Sequence, residues 1–397
     1  MSKRVAPYGC WDSPIGAEQV AARTIAYDDV RIDGEALYWL ESRPQEEGRT
    51  ALVRWAPDAG KTDVLPPTFD VGSRVHEYGG GAYFVGGGVL VASNLADDRL
   101  YRIAEGSVTV PITPEPSPPG SHRYADLRVV GGGEFLVCVR ERHELEVVIN
   151  ELVCVPVDGS AEPSVIAGGH DFYSFPRPSP DGRRLIWTTW DHPRMPWDGT
   201  DLWMADLHPD GRIGVARHVA GGSEESIFQP DWSPEGELYF VSDRSGWWNL
   251  FREKGGGIEP VLVMEAEFGE AQWEFDYSTY AFLDSGRITC RYRLRGLDHL
   301  AVIDLGTGKL EDLDVPFTSL KPYVRGAGSR VAFIGSSPTR SSAVAVTSLT
   351  DGDLQVLADG DAGTDDAWVS RPSFTDFPTG AGVTAHAIYY PPHQQGL

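Results

Sequence analysis

A chain of 397 residues with 41% apolar content is long enough to bury a large core, and its 58 acidic against 34 basic residues give a formal net charge of −24. That excess of carboxylates opposes nucleic acid and anionic membrane, which are held through Lys and Arg, so neither is an expected partner. The four cysteines, Cys10, Cys138, Cys154 and Cys290, form no CxxC pair and three of them sit in strand-like runs, which argues against a zinc site or a disulfide scaffold; no metal and no cofactor is expected.

The start, MSKRVAPYGC, has no apolar core of an export signal, and no run approaches 18 apolar residues, which predicts a cytoplasmic protein. Residues 1–27 read as an extension. Pro7 to Ser13 is a loop and Ile15 to Ile25 a short helix, with Ser13 as N-cap and Pro14 in the first turn. A helix this short needs a partner surface.

From Asp28 a block of four short strands returns seven times. Aligning the second strand of each block puts Leu37, Val89, Phe135, Leu185, Leu238, Ile288 and Val331 in register, with a mean spacing of 49 residues. A period of that length marks a radial architecture, because one four-stranded unit cannot bury both of its faces alone. The expected fold is therefore all-β, a seven-bladed β-propeller over 28–361; a long sandwich or two all-β domains also fits evenly spaced strands. Asp181-Gly182, Glu235-Gly236, Ser285-Gly286 and Gly326-Ala327-Gly328 are the expected turns between first and second strands. Longer segments join strand two to three and one blade to the next. By alternation they emerge on one face, where function is expected.

Residues 362–397 switch pattern. Val383 to Tyr390 reads as a strand with nothing left to pair with, followed by Pro-Pro-His and a polar stop.

Five segments give the chain a family resemblance: PYGCWDSPI at Pro7 to Ile15, SRVHEYGGGAY at Ser73 to Tyr83, WDHPRMPWDGTDLW at Trp190 to Trp203, SDRSGWWNLF at Ser242 to Phe251, and FPTGAGVTAHAIYYPP from Phe377. They resemble the prolyl oligopeptidase family of serine peptidases, in its dipeptidyl aminopeptidase and acylaminoacyl peptidase-like branch. The resemblance implies a propeller that precedes an α/β-hydrolase domain, caps its active site and admits short peptides while excluding folded proteins. It also implies that 362–397 holds a linker and the first strand of that hydrolase domain, the expected partner. A hydrolase of this type needs a nucleophile elbow, GxSxG, followed by Asp and His. The chain has none. Gly221-Gly222-Ser223-Glu224-Glu225 and Gly335-Ser336-Ser337-Pro338-Thr339 each lack the last glycine and fall in predicted loops, so no catalytic residue is assigned and hydrolysis by this chain alone is not expected.

On the loop-rich face the candidate substrate-binding or domain-interface residues are His76, Glu77 and Tyr78 ahead of blade two, Arg140, Glu141 and Arg142 (with His143) in blade three, and Asp191, His192, Arg194, Trp197 and Asp198 in blade four. A carboxylate such as Glu77 can receive a peptide amine and an Arg a carbonyl or carboxylate. Bracing offers the competing account: Glu77 with Arg74 steadies a glycine-rich loop, and Trp197 packs with Trp190. Gly79 to Gly81 lacks the Lys and helix of a phosphate loop and reads as close backbone approach in an inner strand. The acidic run at 359–366 lacks EF-hand spacing. A free-standing scaffold that grips another protein, and a propeller hydrolase using acids of the central channel, are the alternative functions.

Overall fold

A computed structural model describes residues 24–104, 108–130, 132–360 and 368–391, together with 7, 10 and 16–18. Six of the eleven residues of the predicted N-terminal helix lie outside the described residues; Ala17 and Glu18 are helical. Seven antiparallel sheets follow one another along the chain, over 26–63, 83–111, 122–167, 172–221, 227–262, 280–312 and 319–359, each built from consecutive strands. All seven residues aligned in the sequence fall on second strands. The wheel of seven blades is the predicted architecture.

Burial explains the strand chemistry. Leu136 to Glu141, in the second strand of blade three, are buried on both faces, because each blade is sandwiched between two others. Outer strands such as Gly60–Asp63 touch solvent and are polar. Seven apolar clusters form the core, one between each pair of neighbouring blades. The ring closes by packing with a few polar contacts: Trp39 and Val53 of blade one meet Ala332, Ile334 and Val344 of blade seven, and among the described residues no strand is exchanged across the seam. Tyr27 donates to the Asp359 carbonyl at 2.8 Å, and Lys321 pairs with Asp28 at 2.9 Å.

Three local expectations change. In blade seven the inner strand is split into Ser319–Leu320 and Arg325–Ala327, both paired with Arg330–Ser337, so Gly326 and Ala327 belong to the strand and the turn begins at Gly328. Gly335 to Ser337 ends a strand rather than occupying a loop, since its neighbours continue the ladder with Arg340–Ser348. The strand near the C-terminus, Thr384–Tyr389, is not unpaired: it forms a hairpin with Ser373–Pro378. Phe374 and Ile388 lie 3.2 Å from where a Cβ on Gly296 would stand, which places the hairpin against the second-to-third-strand turn of blade six.

Inner strands share a further device. In blades one, three, four and five two residues oppose a single partner, and the first of each pair, Asp29, Asp126, Phe175 and Gln229, has φ between 42° and 57°. Gly81 (φ 53°) and Asp276 (φ 64°) hold the same place just ahead of the inner strands of blades two and six. In blades one, three and four the residue two positions on, Arg31, Arg128 or Arg177, reaches Asp276.

Candidate functional site

Two regions concentrate charge and aromatic surface: the axis, and the loop-rich face above it. At the axis three bulge arginines, Arg31, Arg128 and Arg177, and Arg325 of blade seven converge on Asp276, whose carboxylate bonds Arg177 at 3.0 Å and Arg325 at 3.4 Å and also pairs with Arg31 and Arg128. Arg177 bonds Asp126 at 2.7 Å, and Arg31 bonds Asp29 at 3.2 Å. Burial raises the Asp276 carboxyl, but Arg128, Arg31, Arg325 and Arg177 together outweigh it and hold the group far below the usual carboxylate range. Burial pushes Asp29 up to about 6 against the pull of Arg31 and Arg325. Burial, with Arg177 beside it, brings Arg128 down to about 10.

Convergent carboxylates with perturbed acidity are what a channel hydrolase requires, yet Asp276 is 1% exposed and Asp126 fully buried. Each faces guanidinium rather than a space for substrate. Among the described residues no group of three or more His, Cys, Asp or Glu is arranged to hold a metal ion. Cys138, Cys154 and Cys290 are buried free thiols, with Cys154 raised to about 11 by burial.

On the loop-rich face the sequence candidates separate into groups. Buried Glu141 accepts from the His76 backbone N–H at 2.8 Å and binds Arg123 at 3.0 Å and the His143 ring at 2.8 Å. Glu77, with its side chain 73% exposed, pairs with Arg123 at 2.7 Å, not with Arg74. Arg140 grips Glu151 at 2.5 Å, joined by Arg142 at 3.3 Å. Asp191 accepts from the Asp171 N–H at 2.7 Å and pairs with His170 at 2.8 Å, while Asp171 accepts from the His192 N–H. Asp198 caps its own turn through the Met195 N–H at 2.9 Å, and Arg194 stands 4.0 Å from Asp201. Most of these side chains therefore brace loops.

His76 and Glu77 both have left-handed φ, 54° and 65°, and Gly79 to Gly81 continue it. The three glycines are needed: a Cβ on Gly79 would meet the Ser73 carbonyl at 2.1 Å, and one on Gly80 the Phe275 backbone at 2.7 Å. Close backbone approach is thus the role of this run. The turn tucks the His76 ring against Phe172, Trp190 and Phe275, and burial lowers its pKa to about 4. It also lifts Tyr78 onto Trp273, ring centroids 5.1 Å apart, and Trp273 in turn meets Trp197 at 4.7 Å. Trp190 stacks on Phe172 instead of Trp197.

The sequence reading missed the segment between blades five and six. Glu267, Glu270, Ala271 and Trp273 separate two cavities on the loop-rich face, of about 480 Å³ toward Trp197, Trp247 and Trp248 and about 390 Å³ toward Tyr277, Lys321 and Ser319. Arg293 lines both. The signal was present as an aromatic, acidic connection too long for a hairpin, GEAQWEFDY, and in the paired Trp247-Trp248.

No family model matches the chain, and no curated protein matches it at a significant level. Solved structures do. A puromycin-hydrolysing peptidase of Mycobacterium tuberculosis is 33% identical over 99% of this chain, with a TM-score of 0.91, and the chain spans 63% of its length. A mutant puromycin hydrolase complexed with PGG is 34% identical over 98% of the chain and 62% of its own, again with a TM-score of 0.91. A prolyl endopeptidase at 12% identity shares the fold, with a TM-score of 0.67 over 94% of this chain and 56% of its own. Motifs, blade number and one-third identity agree that the chain forms a seven-bladed propeller that fits the propeller portion of the prolyl oligopeptidase family.

Proposed function

We propose that the loop-rich face meets an α/β-hydrolase domain and gates its active site, admitting short peptides and excluding folded proteins. The single observation that carries this reading is the apolar surface left open on that side: Tyr78, Trp247 and Trp273 are 60%, 40% and 46% exposed, and the hairpin adjoining blade six exposes Phe377, Ile388 and Tyr389. Exposed apolar surface of this kind marks an interaction site. The filled axis supports the same reading, since peptides then reach the chamber at the edge between the domains. A free-standing scaffold is disfavoured because the hairpin does not fold back to cover these rings.

In this reading residues 28–361 are the propeller, 362–397 leads into the hydrolase domain, and Glu77, Tyr78, Arg194 and Trp197 line the interface. The segment described is catalytically silent, since it contains no GxSxG. A place in the dipeptidyl aminopeptidase and acylaminoacyl peptidase-like branch, and in the cytoplasm, belongs to the same proposal. Among the described residues no helix is long and apolar enough to cross a membrane. The test replaces the propeller of the puromycin-hydrolysing peptidase by this chain. The chimera is expected to cleave aminoacyl chromogenic substrates and to leave a folded protein intact. Digestion of folded protein, or labelling of this chain alone by a fluorophosphonate, overturns the reading.

A further inference from the structure

The outermost strand of each blade is an open edge, with one row of backbone N–H and C=O groups left over. Folded proteins blunt such edges with charged side chains or with a bulge. In blades one, four, five, six and seven the fourth strand carries charge, in Lys61, Arg217, Glu259, Glu311 and Asp359 respectively. Blade three's fourth strand, Ser164–Ala167, is uncharged but bulged, since its register slips between Leu152 and Val153. Among the described residues the fourth strand of blade two, Val108–Pro111, has neither protection: it reads Val-Thr-Val-Pro and pairs in unbroken register from Tyr101↔Pro111 to Ala104↔Val108.

Alternation fixes which groups of that strand face outward. The Ile112 N–H donates to the Leu100 carbonyl at 2.9 Å, so Ile112, Val110 and Val108 direct their backbone groups to the strand inside them. Thr109 and Pro111, on the other parity, turn theirs away from the blade. Pro111 has no N–H to offer, which leaves Thr109 with the free donor as well as a free acceptor. The side chains divide in the same way. Val110 stands in register with Arg102 and Val91, and Val91 packs in the gap between blades two and three, so Val108 and Val110 face that gap. Val165 of blade three, in register with Val153, faces it from the other side. All three valines are exposed.

We propose that this edge pairs with the same edge of a second copy of the chain, about a two-fold axis through Thr109. Each Thr109 N–H then donates to the carbonyl of the other Thr109, and Val108 of one copy lies beside Val110 of the other, in the close, non-hydrogen-bonded positions of an antiparallel ladder. Every position of the contact sets one β-branched residue against another. A register with Thr109 opposite Pro111 leaves the Thr109 carbonyl without a donor, so the symmetric register is the one that satisfies both groups. The two blades become one continuous sheet. The edge lies on the rim of the wheel, away from the loop-rich face, so the contact is independent of the gating reading.

Sedimentation velocity of the full chain from about 1 to about 200 µM is expected to show a monomer passing to a dimer and no further. The dimer is expected to tighten as NaCl rises from about 50 to about 300 mM, because each copy carries a net charge of −24 that salt screens. Thr109→Pro removes the outward N–H, which no bond inside the blade uses, and is expected to weaken association about tenfold with an unchanged melting temperature. Val110→Glu sets a carboxylate beside Arg102 within the blade and against Val108 of the second copy, and is expected to abolish the dimer. Adding Val108→Lys is expected to recover it through a Lys–Glu pair across the two-fold axis. A monomer at every concentration, growth beyond a dimer, a dimer undiminished by Thr109→Pro, or no recovery in the double variant overturns the proposal.

Discussion

Asp276, with φ in the left-handed region, pairs with four guanidiniums, more than any other carboxylate among the described residues. Removing it leaves Arg31, Arg128, Arg177 and Arg325 facing one another in a space closed to water. Asp276→Asn is expected to lower unfolding stability by about 3–5 kcal/mol in urea, more than the loss of any one exposed pair on the loops. His76 makes a second residue-scale prediction. Its folded pKa near 4 lies below the usual 6.5, so between those values the unfolded chain takes up a proton that the folded one refuses, and the stability it contributes is lost as pH falls. Asp29, raised to about 6, acts in the opposite sense, losing stability as pH rises from about 4 to about 6. Comparing wild type with His76→Gln by urea unfolding at pH 6.5 and pH 4.5 separates the two. The difference between them is expected to shrink at pH 4.5, by of order 2 kcal/mol. An unchanged difference means the ring is not held neutral.

The inner strand, whose bulge recurs in blades one, three, four and five, was the least legible element. Its bulge forces Asp, Phe or Gln into a conformation that disfavours L side chains by roughly 1–2 kcal/mol, and hydrogen bonds between neighbouring blades hold it there. The Asp126 N–H donates to the Gly81 carbonyl at 3.0 Å, the Phe175 N–H to Asp126 Oδ2 at 2.7 Å, and the Thr279 N–H to Gln229 Oε1 at 2.6 Å. Charged residues inside apolar strands, as in Asp28-Asp29-Val30-Arg31 and Ala125-Asp126-Leu127-Arg128, were the visible trace of it. The glycine run beside it was legible, because three adjacent glycines without a phosphate-loop Lys imply close backbone approach. Gly79→Ala places a Cβ against the Ser73 carbonyl at φ 73°, and is expected to destabilise by more than about 2 kcal/mol and to release Tyr78 from Trp273. Loss of the Tyr78–Trp273 contact reads out as changed tryptophan fluorescence; an unchanged spectrum and melting point would count against the strained-turn account.

At the scale of the whole molecule the seam between blades one and seven is held by side-chain packing and a few polar contacts, with no shared strand among the described residues. Trp39, in that seam, is the largest fully buried side chain among the described residues. Trp39→Ala is expected to cost about 3–5 kcal/mol and to raise amide exchange first in 26–63 and 319–359; uniform loss of protection around the ring would refute a seam that opens locally. The all-β class was determined by the sequence alone, and a period of about fifty residues with turns between first and second strands favoured radial packing, which buries both faces of every blade, over a sandwich. The loop-rich face followed from the same alternation. Partners across blades are a different matter. That Glu77 meets Arg123 rather than Arg74, that Trp197 meets Trp273 rather than Trp190, and that Asp243 and Glu267 share one cavity all depend on the angle between neighbouring sheets. That angle is fixed only when all seven blades close, so contacts between residues far apart in the chain were decided by tertiary structure.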